Sequence, residues 1–518
     1  MQNSSVTVSE CGGLPTWLTA DNSIRLVVTR ATSPYAAVFD LLTGEMKALN
    51  ISDKQAHQQL NEQALVHFAK QQLEEAVALW QQALELSPDH LETLVYLASA
   101  LRSLGRNPAA ASCYERALKL QPAMPDIYYN LGNIQHDLGD WEKAASCYQK
   151  ALSLRPDFAL AAYNLGNICR DQGRLDEAIQ CYRHALANNP EHAPSYNNLG
   201  NALKHRGELD QAIPCYEKAL HYQPDYPDAL YNLGNAFYEM QEFSSAIPWF
   251  DKAGIRDAAP RALYCAYKTS QFDDFRARLR QHLQAADHYS PQVATLVAHH
   301  AVNFGAQNDY RFCPQPFDFV YHESMPELTA PDSPLLQALL SDICNSAIDE
   351  REQGRLHNGV QSSGNLFYRS EASFSALAEL VRGHFANYLE RFGGADCELL
   401  RAFPQAREFE SSWYIRMRQG GHLTSHIHES GWVSGALYLA LPSRAVGSDE
   451  GCFELGLHGD DYPVVEGAGE FPSRVLPLTV GDIVLFPANL FHRTLPFRAD
   501  EERICIAFDL KPGVKKKQ

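Results

Sequence analysis

Two histidines, His426 and His428, stand one residue apart, a third follows at His492, and Arg503 lies eleven residues beyond it. On a strand, residues two apart project to one face, so His426 and His428 can point together at one ion. A third imidazole from a distant strand would complete one triangular face of an octahedron. Three positions would then stay open for substrate and oxygen, an arrangement that suits non-haem iron. Arg503 adds a permanently charged planar fork, the group that grips a carboxylate with two parallel hydrogen bonds.

These residues need strands to carry them, and the texture after Leu400 is that of strands. Short alternating or apolar runs (SSWYIRMR, VSGALYLAL, GCFELGL, RVLPLTV, DIVLFP, RICIAFDL) are broken by Gly and Pro, as in a β-sandwich or jelly roll. In the last run, Arg503, Cys505 and Ala507 share one face, and Ile504, Ile506 and Phe508 share the other. The first face suits a pocket and the second a packing surface. Tyr414 and Tyr438, on flanking strands, are candidates to reach a ligand bound by Arg503. Residues 458–474 are rich in Gly and Asp and read as a loop inserted beside the site.

Upstream the chain is repetitive. Pro88, Pro122, Pro156, Pro190 and Pro224 are 34 residues apart, as are Ala83, Ala117, Ala151, Ala185 and Ala219. Four copies of N-L-G-N, starting at Asn130, Asn164, Asn198 and Asn232, keep the same step. This resembles the tetratricopeptide repeat family, in which each unit is a pair of antiparallel helices. The resemblance covers about 55–257 as six units, with a decayed unit near 259–285. Small Gly and Ala residues let paired helices approach, and each proline ends a second helix. The asparagine at the head of each N-L-G-N is a candidate to bind a peptide backbone, since an amide offers two donors and an acceptor. The competing reading is that some asparagines tie adjacent repeats together.

The carboxy-terminal motifs carry a second resemblance. GVQSSGNLF (359–367), HIHESGWVSGALYL, GDIVLFPANLFH and ERICIAFD look like the iron(II)/2-oxoglutarate-dependent dioxygenases over about 330–511. That resemblance implies a double-stranded β-helix holding iron, with 2-oxoglutarate as cosubstrate. It implies His426 and His492 as two iron ligands and Arg503 as the residue gripping the distal carboxylate. Most of that superfamily carries Asp or Glu at the second ligand position, where this chain has His428. Either His428 is the ligand, or Glu429 swings in and His428 supports it; strand alternation favours His428. Cys505 also stands where relatives often carry a hydroxyl.

The fold expected is therefore multidomain: an all-α repeat solenoid, then a double-stranded β-helix with flanking helices at 333–352 and 373–392. The expected divisions are an extension at 1–54, repeats at 55–285, a helical cap and linker at 286–330, the jelly roll at 331–514, and a basic tail at 515–518. Met46 is a candidate natural start. A formal net charge of −18 argues against a general nucleic-acid partner. No leader or run of 18 apolar residues is evident, so a cytoplasmic protein without a membrane segment is expected. Of twelve cysteines, Cys113, Cys147, Cys181 and Cys215 obey the repeat and read as packing residues, with no C-x-x-C pair for structural zinc. His422, His299 and His300 read as ordinary surface or core residues.

The function expected is an iron(II)- and 2-oxoglutarate-dependent hydroxylase acting on a peptide or protein brought by the repeats. Two alternatives stand beside it. One is a three-histidine iron oxygenase that does not use 2-oxoglutarate, which Arg503 disfavours. The other is a non-catalytic adaptor, which the complete histidine triangle disfavours.

Overall fold

The computed structural model describes residues 51–255, 257–284, 289–345, 348–351, 354–401, 403, 407–429 and 431–512. The extension expected at 1–54 thus lies outside the described residues up to position 50, as do Met46 and the basic tail. Residues 51–54 open the first helix.

The first of two compact units ends at Arg174. It holds α1 (Ile51–Ala69), α2 (Leu73–Leu86), α3 (Leu91–Ser103), α4 (Asn107–Leu120), α5 (Pro125–Asp137), α6 (Trp141–Leu154) and α7 (Ala159–Asp171). The second continues with α8 (Leu175–Asn188), α9 (Ala193–His205), α10 (Leu209–Tyr222), α11 (Pro227–Glu239), α12 (Phe243–Ala253), α13 (Ala258–Lys268), α14 (Phe272–Gln284) and α15 (Pro291–Phe304).

The 34-residue period is a packing rule. Each period-setting proline falls two residues after a helix end, at Leu86, Leu120, Leu154, Asn188 and Tyr222. The glycine of N-L-G-N faces the aromatic ring sixteen residues on, the tyrosine of a C-Y pair for Gly132 and Gly200 and Phe250 for Gly234. A Cβ on Gly132 would stand 2.7 Å from the Tyr148 ring, and one on Gly200 would stand 2.6 Å from Tyr216. The period alanines are buried. Gly207 takes the turn between α9 and α10 at φ 84°, whereas Gln241 takes the matching turn after α11 at φ 61°.

The rest of the second unit is an antiparallel β-rich domain. In order come β1 (Tyr321–Ser324), α16 (Pro326–Thr329), α17 (Pro334–Asn345), β2 (Glu350–Arg351), β3 (Leu356–Ser362), α18 (Ala372–Phe392), α19 (Glu398–Arg401), β4 (Arg407–His426), β5 (Val433–Ala440), β6 (Phe453–Gly456), β7 (Ser473–Leu476), β8 (Asp482–Pro487), β9 (Phe491–Thr494) and β10 (Arg503–Pro512). The strand order is β1-β8-β5-β10-β4-β9-β6-β7, with β3 also on β4 and β2 on β3. This order is compatible with a double-stranded β-helix.

Two expectations are corrected. The helix expected at 333–352 stops at Asn345, because its buried stripe of Leu336, Leu339 and Ile343 ends there. Glu350 and Arg351 instead pair with Ser362 and Gln361. Residues 321–324, assigned to the linker, are strand β1 against β8. Four residues are too short a run to show a period.

The faces of β10 separate as alternation predicts. Ile504, Ile506 and Phe508 pack with Leu377, Val381 and Phe385 of α18. Cys505 and Ala507 join Met417, Tyr438, Phe453 and Phe486 in a second core. The site lies on this second face.

Candidate metal centre and its surroundings

Strand β4 delivers His426 opposite His492 of β9, a cross-strand pair. The strand ends at His426, so His428 is not placed by continued alternation. It reaches the same point from the following turn. One ligand atom from each of His426, His428 and His492 lies within 4.8 Å of the others, the one such metal-suited cluster among the described residues.

The tautomers are set from behind. His426 Nδ1 faces the Thr424 carbonyl at 2.8 Å, and His492 Nδ1 faces the Leu490 carbonyl at 3.4 Å. His428 Nδ1 faces Asp509 Oδ1 at 2.7 Å. With each Nδ1 engaged, the Nε2 of each ring is left for a metal, the usual division of labour in a histidine-ligated site. Burial, and secondarily the neighbouring His428, holds the His426 ring down to about 3. Burial and the other two rings hold His492 well below its ordinary value. Both rings are therefore neutral and ready to ligate at neutral pH.

Asp509 is the residue the sequence reading missed. It is 3% exposed and takes hydrogen bonds from Ser434 Oγ at 2.7 Å and Ser411 Oγ at 3.0 Å, besides its His428 contact. Burial pushes its carboxyl up, but His428 and these hydroxyls outweigh that and leave it below its usual value. The negative charge absent from the ligand set thus stands directly behind it. An Asp two positions beyond Ala507, on the Arg503 face, was the available signal. Glu429 is not in the cluster; its carboxylate accepts from the Tyr238 hydroxyl of α11 at 3.0 Å.

Arg503 is 1% exposed. Its Nε donates to the Gly451 carbonyl at 3.2 Å, Nη1 lies 3.4 Å from Cys505 Sγ, and its guanidinium stands 5.1 Å from the centre of the Tyr438 ring. Among the described residues no carboxylate pairs with it. A buried cation without a counter-ion is costly unless an anion joins it. The Trp413 indole N–H is likewise buried without a hydrogen-bond partner among the described residues, and the buried Tyr438 hydroxyl lies beside the Arg503 guanidinium. The Trp413 ring lies 5.3 Å from that of His428, and Phe486 and Phe453 lie 4.9 and 5.7 Å from that of His492. An orphaned N–H, a lone cation and apolar walls fit an anionic organic ligand between Arg503 and the histidines.

Tyr414 does not join them. It pairs with Ile506 on the opposite face, and its hydroxyl donates to Glu350 at 2.9 Å. His422 stacks on His357, and His299 is a buried member of a hydrogen-bonded group with Tyr267 and His458. In the repeats, Asn164 Nδ2 donates to Asn133 of the preceding repeat, and Asn232 Nδ2 donates to Asn197, both at 2.9 Å. Asn198 is buried and accepts from Asn197, and Asn130 stands beside the Tyr114 hydroxyl. These four asparagines are at least partly scaffold.

Residues 411–509 match the family model described as "Putative 2OG-Fe(II) oxygenase". Tetratricopeptide repeat models match residues 58–90, 98–139, 129–193, 181–213 and 200–241. Among solved structures the chain is similar to MamA protein at 23% identity, covering 33% of this chain and 94% of that one with a TM-score of 0.32. It is similar to pilF of Pseudomonas aeruginosa at 20% identity, covering 38% and 93% with a TM-score of 0.34. A third is YrrB, described as a TPR protein with an unusual peptide-binding site, at 23% identity, covering 35% and 97% with a TM-score of 0.32. No curated protein matches the chain. No helix among the described residues is long and apolar enough to cross a membrane.

Proposed function

We propose that this chain, which carries tetratricopeptide repeats and a domain of the 2OG-Fe(II) oxygenase family, is an iron(II)- and 2-oxoglutarate-dependent hydroxylase of a peptide or protein recruited by the repeats. The observation that carries the reading is the convergence of three Nδ1-engaged histidines on the same sheet face as a buried, unpaired arginine. His426, His428 and His492 would hold the metal. Iron(II), when bound, supplies the oxidising chemistry that couples 2-oxoglutarate decarboxylation to hydroxylation.

The protein's own share is positioning. The Thr424 and Leu490 carbonyls and the Asp509 carboxylate fix the three rings. Arg503 offers its guanidinium to the far carboxylate of the cosubstrate, with the Tyr438 hydroxyl and Trp413 N–H as further donors. Phe453 and Phe486 keep water from the space between. Recruitment by the repeats is supported by their presence and by the polar lining that Asn133, Asn164, Asn167, Tyr148 and Arg102 give one groove of the first unit.

Anaerobic addition of Fe(II) and 2-oxoglutarate should produce a metal-to-ligand charge-transfer band, and oxygen should then release succinate. Absence of the band with iron bound would favour a three-histidine oxygenase that does not use this cosubstrate.

A further inference from the structure

A second pocket reaches the metal centre from outside, and its chemistry is separate from that around Arg503. It is narrow, about 30 Å³, and is lined by His426 together with Arg355, Tyr264, Glu429, Asp461 and Tyr462. Helix α13 supplies Tyr264 to its wall. A pocket this narrow admits a small end group rather than an aromatic ring.

The charges in it do not balance locally. Glu429 is met by the Tyr238 hydroxyl and lies within electrostatic reach of Arg261. The Asp461 carboxylate lies within electrostatic reach of Lys268, whose ammonium donates to the Asp461 main-chain carbonyl and stands 4.9 Å from the centre of the Tyr462 ring. Arg355 has no ion-pair or side-chain hydrogen-bond partner among the described residues, and it lines the same pocket as His426. Tyr462 is 8% exposed, and its hydroxyl is buried with no hydrogen-bond partner among the described residues. Both acids are thus answered from within, and the two donors left over call for an oxygen acceptor carrying negative charge.

We propose that this pocket receives a carboxylate-bearing end group of the substrate, with the Arg355 guanidinium and the Tyr462 hydroxyl as its donors. The inference rests on the oxygenase reading for what happens to the bound group, but not for the binding itself. Arg355 and Tyr462 are then specificity-determining residues.

The test is saturation-transfer NMR on the full-length, metal-free protein with three probes: the N-acetyl methylamides of aspartate, asparagine and lysine. The aspartate probe should bind best. Arg355→Ala should weaken it about tenfold or more, and Arg355→Lys should restore part of the loss. Tyr462→Phe, which keeps the ring and its packing, should weaken it by a smaller factor. The Ni(II)-loaded Arg355→Ala protein should keep wild-type affinity for 2-oxoglutarate. Preference for the lysine probe, equal binding of the aspartate and asparagine probes, or unchanged aspartate binding in Arg355→Ala would each overturn the proposal. Loss of 2-oxoglutarate affinity in that variant would do so too, by assigning Arg355 to the cosubstrate. Failure to bind iron would sink the oxygenase reading alone, because the probe measurement needs no metal.

Discussion

Asp509 turns three histidines into a defined site. Its carboxylate holds His428 Nδ1, and without it His428, which lies beyond the end of β4, would have no strand to fix its ring. Asp509→Asn keeps the shape but loses the charge and can present an N–H to the ring. Outer partners of metal-bound histidines typically contribute about 10–100-fold in metal affinity. Asp509→Asn should therefore weaken iron binding by about that range in a chelator competition, and Glu429→Gln should leave it unchanged. A loss confined to the Glu429 variant would return the third-ligand role to that carboxylate. Arg503 governs a different quantity. A charge-assisted hydrogen bond is worth about 1.5–3 kcal/mol, so Arg503→Ala should weaken 2-oxoglutarate by roughly ten- to a hundredfold, read by titrating the charge-transfer band. Normal cosubstrate affinity in that variant would remove Arg503 from the site. The histidines and Arg503 were legible in the sequence because residue type and spacing alone announce them. Trp413, Arg355 and Tyr462 were not, because the roles proposed for them come from unpartnered atoms that only tertiary packing reveals.

Among the elements, the repeats make opposite predictions at two positions, one in a helix and one in a turn. Gly200 lies under the Tyr216 ring, which is fully buried and anchored through its hydroxyl to Asn201 at 2.8 Å. The ring cannot retreat, so Gly200→Ala should destabilise the second unit by about 1–3 kcal/mol, the usual range for overpacking. Gln241 is exposed and holds a left-handed turn at φ 61°. Gln241→Gly relieves about 1–2 kcal/mol of that strain but adds freedom to the unfolded chain worth about 0.4–1 kcal/mol, leaving a gain of a few tenths to about 1 kcal/mol. Thermal unfolding of the two variants should move in opposite directions. Helix α15 carries an acid sensitivity. Burial, then the neighbouring His458, lowers His299 to about 3, and burial, then Arg276, lowers His300 to about 4. In the unfolded chain both rings protonate near 6.5. Between those values the unfolded state binds more protons, so stability is full above about 6.5 and falls as pH drops, by up to about 1.4 kcal/mol per pH unit for each ring. Urea unfolding at pH 7 and pH 5 should show this loss, and His300→Gln should reduce it. An unchanged pH slope in that variant would place the sensitivity elsewhere. The repeat pattern was readable because many positions share one period, whereas β1 was not, since four residues carry no period of their own.

At the scale of the molecule, the proposed function assigns recruitment and chemistry to different parts of the chain, and the two should be separable by mutation. The sequence left each repeat asparagine open between ligand and scaffold. The structure shows Asn164 and Asn232 donating to the preceding repeat and Asn198 accepting within its own. An amide has two donors and one acceptor, so an inter-repeat bridge uses only part of its capacity and leaves some for a peptide. Replacing Asn130, Asn164, Asn198 and Asn232 together by Ala should therefore have two effects. Repeat stability should fall, because bridging acceptors on Asn133 and Asn197 lose a partner, at about 0.5–1.5 kcal/mol per net hydrogen bond. Capture of partner peptides on an array should also weaken, more than in a control carrying Asn197→Ala, which breaks one bridge but keeps all four heads. Iron affinity, 2-oxoglutarate affinity and partner-free succinate release should stay at wild-type values, since the β-rich domain carries the histidines and Arg503 itself. Equal capture by the quadruple variant and the bridge-breaking control would make the asparagines scaffold throughout and move partner recognition to another face of the repeats. A fall in partner-free succinate release would instead mean that the repeats shape the metal centre and do not only deliver to it.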